Sequence, residues 1–442
     1  MTHPFWIPLG YETRNGSFPS YNDNRHLTTI GPTRSGKGAT IIVPVSLRVP
    51  HSMFIVDPKG QIAAITGRRR YELGQHVLFL NPFGLHSGPP WRLPRHRFNP
   101  LAALDPEHPN FVANVGALAQ ALIITQGREP YFDDTARNLI VIILVYLIVT
   151  FGKSATLGMM RAIILAIAAR SKEGMAYIAT MQECPLSIVS QGIGRFADIG
   201  ERNDLASAVS TAVTQTSFLD DPAFTHPETG CLSGSDFDML QLKEWPTTVY
   251  VILPGNYMET YSRFLRLLIT SAIESLTASP GGHPVLMMLD EAARLERLPA
   301  LTSAFGYSAG FGLQLWPFWQ DLAQLEHIYQ HEWESLLGNC GVTQFFTPAD
   351  MKTADYISRR GGMTTSSSRS RSYGGLWRKF QSESQSESRV PLLPPEYTFN
   401  LAPDKSVIFY AGTHSPFITG RAPYWTIPQL AGTFDPDPFH ME

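Results

Sequence analysis

The sequence contains little cysteine, and its few cysteines are far apart. Only Cys184, Cys231 and Cys340 occur in 442 residues. Their separation excludes the close cysteine pairs of zinc and redox motifs, and it also excludes a small disulfide-stapled scaffold. We expect buried, unreactive thiols in a protein of a reducing compartment.

Charged residues are also scarce, and they show no excess of positive charge. Asp, Glu, Lys and Arg make up 17% of the chain, and the formal net charge is −3 at pH 7. A protein that binds nucleic acid over a broad surface usually has a strongly basic balance. Any contact of this chain with nucleic acid must therefore come from local loops or from a pore.

Long apolar runs are missing as well. The most apolar stretch, LIVIILVYLIVTF at 139–151, is shorter than the roughly 20 residues that a bilayer-spanning helix needs. Residues 1–30 lack the basic start and apolar segment of a signal peptide. We therefore predict a buried core helix at 139–151 and a cytoplasmic chain.

The sequence does contain a glycine-rich loop, GPTRSGKGA at 31–39. Gly31, four further residues, Gly36 and Lys37 have the spacing of a phosphate-binding loop. Such a loop points backbone N–H groups at an anion, and the following helix N-terminus adds partial positive charge. Lys37 would contact the β- and γ-phosphates of ATP. The residues predicted to bind nucleotide in this loop are Gly31, Pro32, Thr33, Arg34, Ser35, Gly36, Lys37, Gly38 and Ala39.

Position 38 departs from the motif. A Ser or Thr normally follows the lysine, and its hydroxyl binds Mg²⁺, whereas Gly38 offers no side-chain ligand. We expect Mg²⁺ to be held by phosphate oxygens, water and Asp290, with Thr40 or Ser35 as further candidates. Protein ligation of the metal should then be weaker than in a complete motif.

The pattern around the loop predicts an α/β fold. A helix is predicted at 39–47, which Pro44 should kink or shorten, and a second at 260–277. Short apolar runs bounded by turn signals favour a buried, mostly parallel sheet. These runs lie at 26–30, 52–56, 77–80, 247–253, 285–289, 311–318, 342–346 and 406–410.

Helical periodicity replaces this pattern in the middle of the chain. Helices are predicted at 111–125, 133–151, 156–169, 188–196 and 204–216. We therefore predict a discontinuous nucleotide-binding domain formed by residues 1–105 and 245–442. An all-α domain at 106–244 would be inserted into it.

Two further segments complete a predicted nucleoside triphosphatase site. The apolar run VLMML ends in Asp290 and Glu291, at the carboxyl end of a strand, where open α/β sheets bind ligands. Asp290 would hold Mg²⁺ through water, and Glu291 would polarise the attacking water. Gln320 follows another predicted strand and would sense the γ-phosphate. Lys37, Glu291 and Gln320 are thus the predicted catalytic residues.

Ordered motifs over most of the chain resemble the TraG-like coupling proteins of type IV secretion and conjugation, a family of DNA-translocating ATPases. The motifs are GPTRSGKG at 31–38, VDPKG at 56–60, NPFG at 81–84, FNPL at 98–101, YFDDTARNLI at 131–140, VLMMLDEAARLERLPAL at 285–301, GFGLQLWPFWQDLAQL at 310–325, NCGVTQFFTPAD at 339–350 and SRVPLLPPE at 388–396. The resemblance implies a RecA-like P-loop motor with an inserted all-α domain. It also implies ATP and Mg²⁺ as cofactors and a homo-hexamer with nucleotide between subunits.

The same resemblance implies the partners of the chain. They are single-stranded DNA that carries a relaxase of the relaxosome, or effector proteins, and a type IV secretion channel at the inner membrane. The all-α domain would help to recognise this cargo. Asp57 and Lys59 resemble the Asp-x-Lys-Gly element of the family, and we assign them to the rim of the nucleotide site.

The sequence departs from the family in two respects. Relatives usually begin with two transmembrane helices, which residues 1–30 do not contain. Either an anchor was removed, or the chain docks at the cytoplasmic face of the inner membrane through a partner. A ring ATPase also needs an arginine that acts in trans, yet Gly306-Tyr307 stands where some relatives have Gly-Arg. The candidates are Arg294, Arg297, Arg359 and Arg360, with surface ion pairs as the alternative reading of each.

Residues 364–389 are rich in Ser, Arg, Gln and Glu. The segment is either a flexible loop or an exposed hairpin with its turn near 373–375. Basic residues interleaved with aromatic ones would suit a grip on single-stranded DNA, and a solvated loop is the alternative. The residues concerned are Arg369, Arg371, Tyr373, Trp377, Arg378 and Lys379.

Two other functions remain open at the level of the sequence. One is a nucleotide-gated cargo receptor or adaptor that recruits without pumping. The other is a double-stranded DNA translocase of the same superfamily. Stimulation of ATPase activity by DNA distinguishes them, since an adaptor would respond little and a duplex pump would prefer duplex DNA.

Overall fold

The computed structural model describes residues 6–125, 130–197, 203–374, 379–413 and 415–440. The strands are β1 (Ile7–Pro8), β2 (Ser20–Tyr21), β3 (His26–Ile30), β4 (Ser52–Asp57), β5 (His76–Leu80), β6 (Thr247–Ile252), β7 (Val285–Leu289), β8 (Leu313–Trp319), β9 (Cys340–Phe345), β10 (Met363–Gly374), β11 (Lys379–Pro391), β12 (Lys405–Tyr410) and β13 (Phe417–Gly420).

The helices are α1 (Val43–Arg48), α2 (Gln61–Glu72), α3 (Phe111–Leu122), α4 (Tyr131–Phe151), α5 (Leu157–Ala168), α6 (Lys172–Gln182), α7 (Ser187–Gly194), α8 (Asn203–Gln215), α9 (Pro222–Thr225), α10 (Gln241–Glu244), α11 (Ser262–Thr277), α12 (Pro299–Tyr307), α13 (Leu322–Tyr329), α14 (Trp333–Gly338), α15 (Met351–Gly361) and α16 (Pro395–Phe399).

The main sheet has the strand order β13-β12-β9-β3-β8-β7-β4-β6-β5. Its strands from β9 to β5 run parallel, and β12 and β13 complete one edge in antiparallel pairing. Continuous apolar runs buried on both faces are typical of parallel strands. The predicted α/β class with a mostly parallel central sheet is confirmed.

Alternate residues of the central strands enter two cores, one on each face of the sheet. In β4, Phe54 and Val56 pack with the core that includes the helices inserted after β5. Met53 and Ile55 of the same strand pack with the core that includes α1 and α2. Because side chains alternate along a strand with a period of two, burial on both faces fixes the register of the sheet.

This register brings the carboxyl ends of four parallel strands to one edge of the sheet. Ile30 pairs with Trp319, Leu289 pairs with Pro317, and Val56 pairs with Leu289. The polar or loop-forming residues at these strand ends are Gly31, Gln320, Asp290 and Asp57. The fold therefore gathers the predicted site residues at the edge where open α/β sheets bind ligands.

Helices α3 to α10 lie between β5 and β6, and the described residues of 81–246 contain no strand. Helix α4 lies at their centre and packs against α3, α5, α7 and α8. It begins at Tyr131, earlier than predicted, and Asp133 and Asp134 in its first turn complement the positive helix N-terminus.

Helix α4 extends beyond the apolar run at 139–151 at its amino-terminal end. Within the described residues, Tyr131–Ser154 is the one helical segment long and apolar enough to span a bilayer, and 61% of its apolar window is buried inside the protein. Burial of this kind agrees with the predicted core helix.

The helix after the glycine-rich loop runs over Gly38–Arg48, so Pro44 does not shorten it, but its first part is not a regular α-helix. Residues Gly38–Ile42 form a π-helical turn, in which the Val43 N–H donates to the Gly38 carbonyl. Pro44 lacks the N–H that an α-helix would direct at the Thr40 carbonyl. The wider turn therefore precedes the proline, and α1 is only six residues long.

The serine-rich segment forms an antiparallel hairpin of β10 and β11, with Ser366 opposite Ser388 and Arg369 opposite Gln385. Residues 363–369 and 385–389 are exposed. The hairpin alternative for this segment is therefore the observed one. Part of the predicted turn and two of the predicted DNA contacts, Trp377 and Arg378, lie outside the described residues.

Candidate nucleotide site

The glycine-rich loop leaves β3 at Ile30 and turns tightly before the π-helical turn. The Gly31 N–H donates to the Trp319 carbonyl at 3.0 Å. Gly36 has a φ of 87°, in the left-handed region that favours glycine, and Arg34 has a φ of 60°. A Cβ at Gly31 would lie only 3.0 Å from the Phe346 ring. The backbone conformation therefore favours glycine at position 36, and close packing against Phe346 disfavours a side chain at position 31.

Lys37 is folded into the loop. Its ammonium group donates to the Gly31 carbonyl at 2.6 Å and to the Pro32 carbonyl at 3.1 Å. Burial lowers the pKa of Lys37, and the nearby carboxylates of Asp290 and Glu291 act in the opposite direction. The lysine thus lies within electrostatic reach of the acid pair that follows β7.

The acid pair has an unusual backbone. Glu291 has a φ of 56°, and its N–H donates to Asp290 Oδ1 at 3.1 Å. Left-handed geometry at a non-glycine residue is uncommon and concentrates at functional sites. Burial, and next the charge of Glu291, raise the pKa of Asp290 to about 7, while Lys37 opposes this shift.

Gln320 contacts the acid pair directly. Its side-chain amide donates to Glu291 Oε2 at 2.9 Å, and its backbone N–H donates to Gln324 Oε1 at 3.2 Å. The two residues follow the neighbouring strands β7 and β8. The structure therefore places Lys37, Asp290, Glu291 and Gln320 in one site, while their catalytic roles stay predictions.

Asp57 lies at the end of β4, beside β7, and is buried. Its carboxylate accepts the Ala63 N–H at 2.8 Å and the Lys59 N–H at 3.3 Å, which orders the turn into α2. Burial raises the pKa of Asp57 to about 6. The charge of Asp57 also contributes to the raised pKa of Asp290. The contacts of Asp57 are with the backbone of the turn, and its place at the rim of the nucleotide site stays a prediction.

The two hydroxyl candidates for Mg²⁺ differ. The Thr40 hydroxyl donates to the Gly36 carbonyl at 2.8 Å and accepts from Arg421 at 3.3 Å. The buried Ser35 hydroxyl has no hydrogen-bond partner in the described part of the chain. Of these two candidates, Ser35 has the hydroxyl without a partner, and Thr40 is engaged in holding the backbone of the loop.

The residues fit a metal ion that is shared with phosphate oxygens. No group of three or more His, Cys, Asp or Glu side chains that could hold a metal occurs among the described residues. Asp290 offers one carboxylate, and a Cβ built at Gly38 meets no atom within 4 Å. The open space at Gly38 leaves room for ligands other than protein side chains, as Mg²⁺ with nucleotide prefers.

The remaining loop residues form the outer face of the site. Thr33 and Arg34 are exposed, and Pro32 and Ala39 are partly buried. Exposed residues of this kind would be covered only by a ligand or by a neighbouring molecule.

Sequence reasoning missed Arg421, which follows β13. Its guanidinium donates to the Ser35 carbonyl at 2.9 Å and contacts Thr40. No local pattern could have identified it, because the contact joins residues 386 positions apart.

The four arginine candidates for a trans-acting role have different surroundings. Arg297 donates to both carboxylate oxygens of Glu332, at 2.8 and 2.9 Å, in agreement with a surface ion pair. Arg360 lies over the Phe409 ring at 4.7 Å. Arg294 and Arg359 are exposed. None of the four is assigned to catalysis by these contacts.

Comparison with known proteins gives consistent matches. Residues 2–435 match the family model described as Type IV secretory system Conjugative DNA transfer. The VirD4 protein of Agrobacterium fabrum is 28% identical over 442 aligned residues, which cover 95% of this chain and 62% of VirD4. A conjugal transfer protein TraG of Escherichia coli is 26% identical, over 94% of this chain and 70% of TraG. The chain thus spans 62% of the length of VirD4.

Solved structures show the same fold. The plasmid coupling protein TrwB in complex with ADP and Mg²⁺ has a TM-score of 0.62 at 15% identity, covering 95% of both chains. TrwB in complex with the GTP analogue GDPNP has a TM-score of 0.59 at 16% identity, covering 92% of this chain and 86% of TrwB. This chain therefore has the α/β fold of the coupling protein TrwB, which agrees with the predicted RecA-like fold.

Proposed function

Because this chain belongs to the type IV secretory system conjugative DNA transfer family, we propose that it is the ATP-hydrolysing motor of a coupling protein. The observation that carries the proposal is the convergence of Lys37, Asp290, Glu291 and Gln320 at the carboxyl ends of three neighbouring parallel strands. A glycine-rich loop, a paired acid and a contacting glutamine are the parts that ATP hydrolysis needs.

Each residue has a distinct task in this proposal. Lys37 exchanges its two carbonyl partners, Gly31 and Pro32, for phosphate oxygens, while the loop N–H groups hold the β-phosphate. Glu291 orients and polarises the attacking water, and before nucleotide binds its carboxylate accepts a hydrogen bond from Gln320. When Gln320 turns to the γ-phosphate, Glu291 is released, so the presence of ATP is reported to the loops after β7 and β8.

Asp290 and the free hydroxyl of Ser35 are the groups that would hold Mg²⁺. Bound with nucleotide, the ion neutralises charge on the phosphate oxygens. Asp290 must be ionised for this task, and the ammonium group of Lys37 favours its charged form.

The substrate we propose is single-stranded DNA bound to a relaxase or relaxosome, or an effector protein, delivered to a type IV secretion channel. The family description, conjugative DNA transfer, and the similarity to a conjugal transfer protein support DNA as the cargo. We propose that helices α3 to α10 recognise the cargo, that six copies form the working ring, and that the ring docks at the cytoplasmic face of the inner membrane. Subunit movements driven by ATP would then advance the strand.

The test is ATP turnover measured without DNA, with single-stranded DNA, with duplex DNA of the same sequence, and with heparin as a polyanion control. We expect strong stimulation by single-stranded DNA alone. Preference for duplex would instead favour a duplex translocase. An ATP turnover rate that is the same with and without single-stranded DNA, duplex DNA and heparin would favour a nucleotide-gated receptor. It would contradict the motor proposal.

A further inference from the structure

Arg421 is a buried cation that lies directly beside the glycine-rich loop. Its side chain is 4% exposed. One guanidinium nitrogen, Nη1, donates to the Ser35 carbonyl at 2.9 Å and to the Thr40 hydroxyl at 3.3 Å. A Cβ built at Gly36 would lie 3.7 Å from the same nitrogen. Arg421 therefore touches the loop on both sides of Lys37.

The rest of the guanidinium is fixed from the other side. Nε donates to the Lys405 carbonyl at 3.0 Å, and Nη2 donates to the Pro403 carbonyl. The guanidinium carbon also lies 3.6 Å from the centroid of the Phe346 ring, against which Gly31 packs closely. Since every nitrogen has a partner, the loop is held against the segment that precedes β12.

Arg421 forms no direct ion pair in the described part of the chain, and the one carboxylate whose charge acts on it, that of Asp404, lies beyond ion-pairing distance. Burial lowers its pKa to about 10, so the group remains charged at neutral pH. A buried cation without a paired anion is costly, and an anion bound nearby reduces this cost. A bound polyphosphate would be such an anion.

We infer that Arg421 is a positioning residue for nucleotide: it holds the glycine-rich loop in its phosphate-binding conformation and adds positive potential beneath it. This inference rests on the proposed nucleotide function. It adds that the affinity for phosphate depends on Arg421, which contacts the loop although it lies 386 positions after Ser35 in the sequence. It also gives the segment 403–405, which follows the hairpin and α16, a physical link to the nucleotide site.

The experiment compares Arg421→Lys and Arg421→Met with the unchanged protein. Arg421→Lys keeps the charge but has fewer donors, and Arg421→Met keeps the approximate volume without charge. Binding of fluorescent ATP, ADP and AMP gives the affinity, and steady-state turnover gives KM and kcat. We expect a loss of affinity for ATP and ADP of about tenfold or more in Arg421→Met, because hydrogen bonds to charged groups are among the strongest.

The pattern across ligands and variants identifies the role. Arg421→Lys should recover part of the lost affinity. AMP affinity should change least, and KM should rise more than kcat falls. The matched control is Arg70→Lys, because Arg70 is also buried and donates to the carbonyls of Ser46, Val49 and His51 away from the loop. That variant should lower the melting temperature without changing nucleotide affinity.

Two results would overturn the inference. One is an unchanged ATP affinity in folded Arg421→Met. The other is an equal loss of affinity in Arg70→Lys, which would mean that any buried arginine has this effect. If Arg421→Met does not fold, Phe346→Leu removes the stacking partner and provides the same comparison, with hydrogen exchange of residues 31–40 expected to accelerate. Absence of nucleotide binding by the unchanged protein would instead contradict the proposed function.

Discussion

At the scale of single residues, Gly38 deprives the loop of the side-chain hydroxyl that normally binds Mg²⁺. A Cβ at this position meets open space, and Gly38 has no positive φ that would disfavour a side chain. Gly38→Ser should therefore fit and add the missing hydroxyl ligand. We expect the Mg²⁺ concentration that gives half-maximal turnover to fall about three- to tenfold, as a gain of one good polar contact implies.

The control for this prediction is Gly38→Ala, which adds the same Cβ without a hydroxyl. Both variants reduce the conformational freedom that glycine gives the unfolded backbone, and both therefore favour the helical conformation. Only the serine should shift the Mg²⁺ dependence. Equal behaviour of the two variants would mean that another group, with Ser35 the first candidate, already fills this coordination position.

Asp290 gives the site a pH dependence. Its pKa is raised from 3.8 to about 7, so the carboxyl is protonated and unable to bind metal below about pH 7. The Mg²⁺ concentration needed for turnover should therefore increase as the pH falls from 8 to 6. Magnesium titrations at several pH values measure this, and a requirement that is constant over this range would contradict the assignment of Asp290.

The same shift affects stability. Between about pH 4 and 7, the folded protein without ligand binds a proton at Asp290 that the unfolded chain has released. The free energy of unfolding should fall as the pH rises through this window. Asp57, with its pKa raised to about 6, contributes in the same direction. Asp290→Asn should remove its share of the slope, which thermal unfolding at pH 5 and 8 would reveal.

The site residues illustrate what a sequence can and cannot reveal. Lys37, Asp290 and Glu291 were identified because short motifs encode their spacing relative to strand ends. The left-handed φ of Glu291 and its contact with Gln320 were not foreseeable, because they depend on the register of two strands. Arg421 was missed because its contacts depend on the strand order of the sheet, which brings the end of β13 close to the loop after β3.

At the scale of elements, strands were predicted better than helix ends. The central strands are five to seven residues long and are buried at every position. Most are strongly apolar, and the more polar β3 (HLTTI) was identified because it directly precedes the glycine-rich loop. Helix α4 begins two residues earlier than predicted, at Tyr131, because apolar periodicity does not mark the first residue of a helix. The π-helical turn was foreseen only as a disruption at Pro44, because periodicity does not distinguish an α-turn from a wider one.

The hairpin of β10 and β11 provides a prediction at this scale. Replacing Arg369, Arg371, Arg378 and Lys379 by Gln should weaken single-stranded DNA binding and reduce its salt dependence, because fewer phosphates are neutralised. ATP turnover without DNA should be unchanged. Binding isotherms at several salt concentrations measure the effect.

A matched control replaces Ser366, Ser368, Ser386 and Ser388 of the same hairpin by Ala. This variant leaves the charge unchanged, so the salt slope should stay as it is. An unaltered slope in the Gln variant would assign the hairpin to a solvated surface, and DNA contact would then have to come from another part of the ring.

At the scale of the whole molecule, the proposed ring should depend on ligand. Exposed loop residues such as Thr33 and Arg34 would be covered by a neighbouring subunit if nucleotide binds between copies. Native mass measurement should therefore show six copies in the presence of ATP and single-stranded DNA, with smaller species when both are absent. A monomer under every condition would argue that a partner or a further segment is needed to build the ring.

The central claim is that Lys37, Asp290, Glu291 and Gln320 form an ATP-hydrolysing site. The most direct measurement is ATP turnover by the unchanged protein, Lys37→Ala and Glu291→Gln, together with ATP binding by each. Lys37→Ala should lose binding and turnover, whereas Glu291→Gln should still bind ATP but turn over about 100-fold or more slowly, as expected for loss of a transition-state interaction. Turnover that is equal in all three folded proteins would contradict the account.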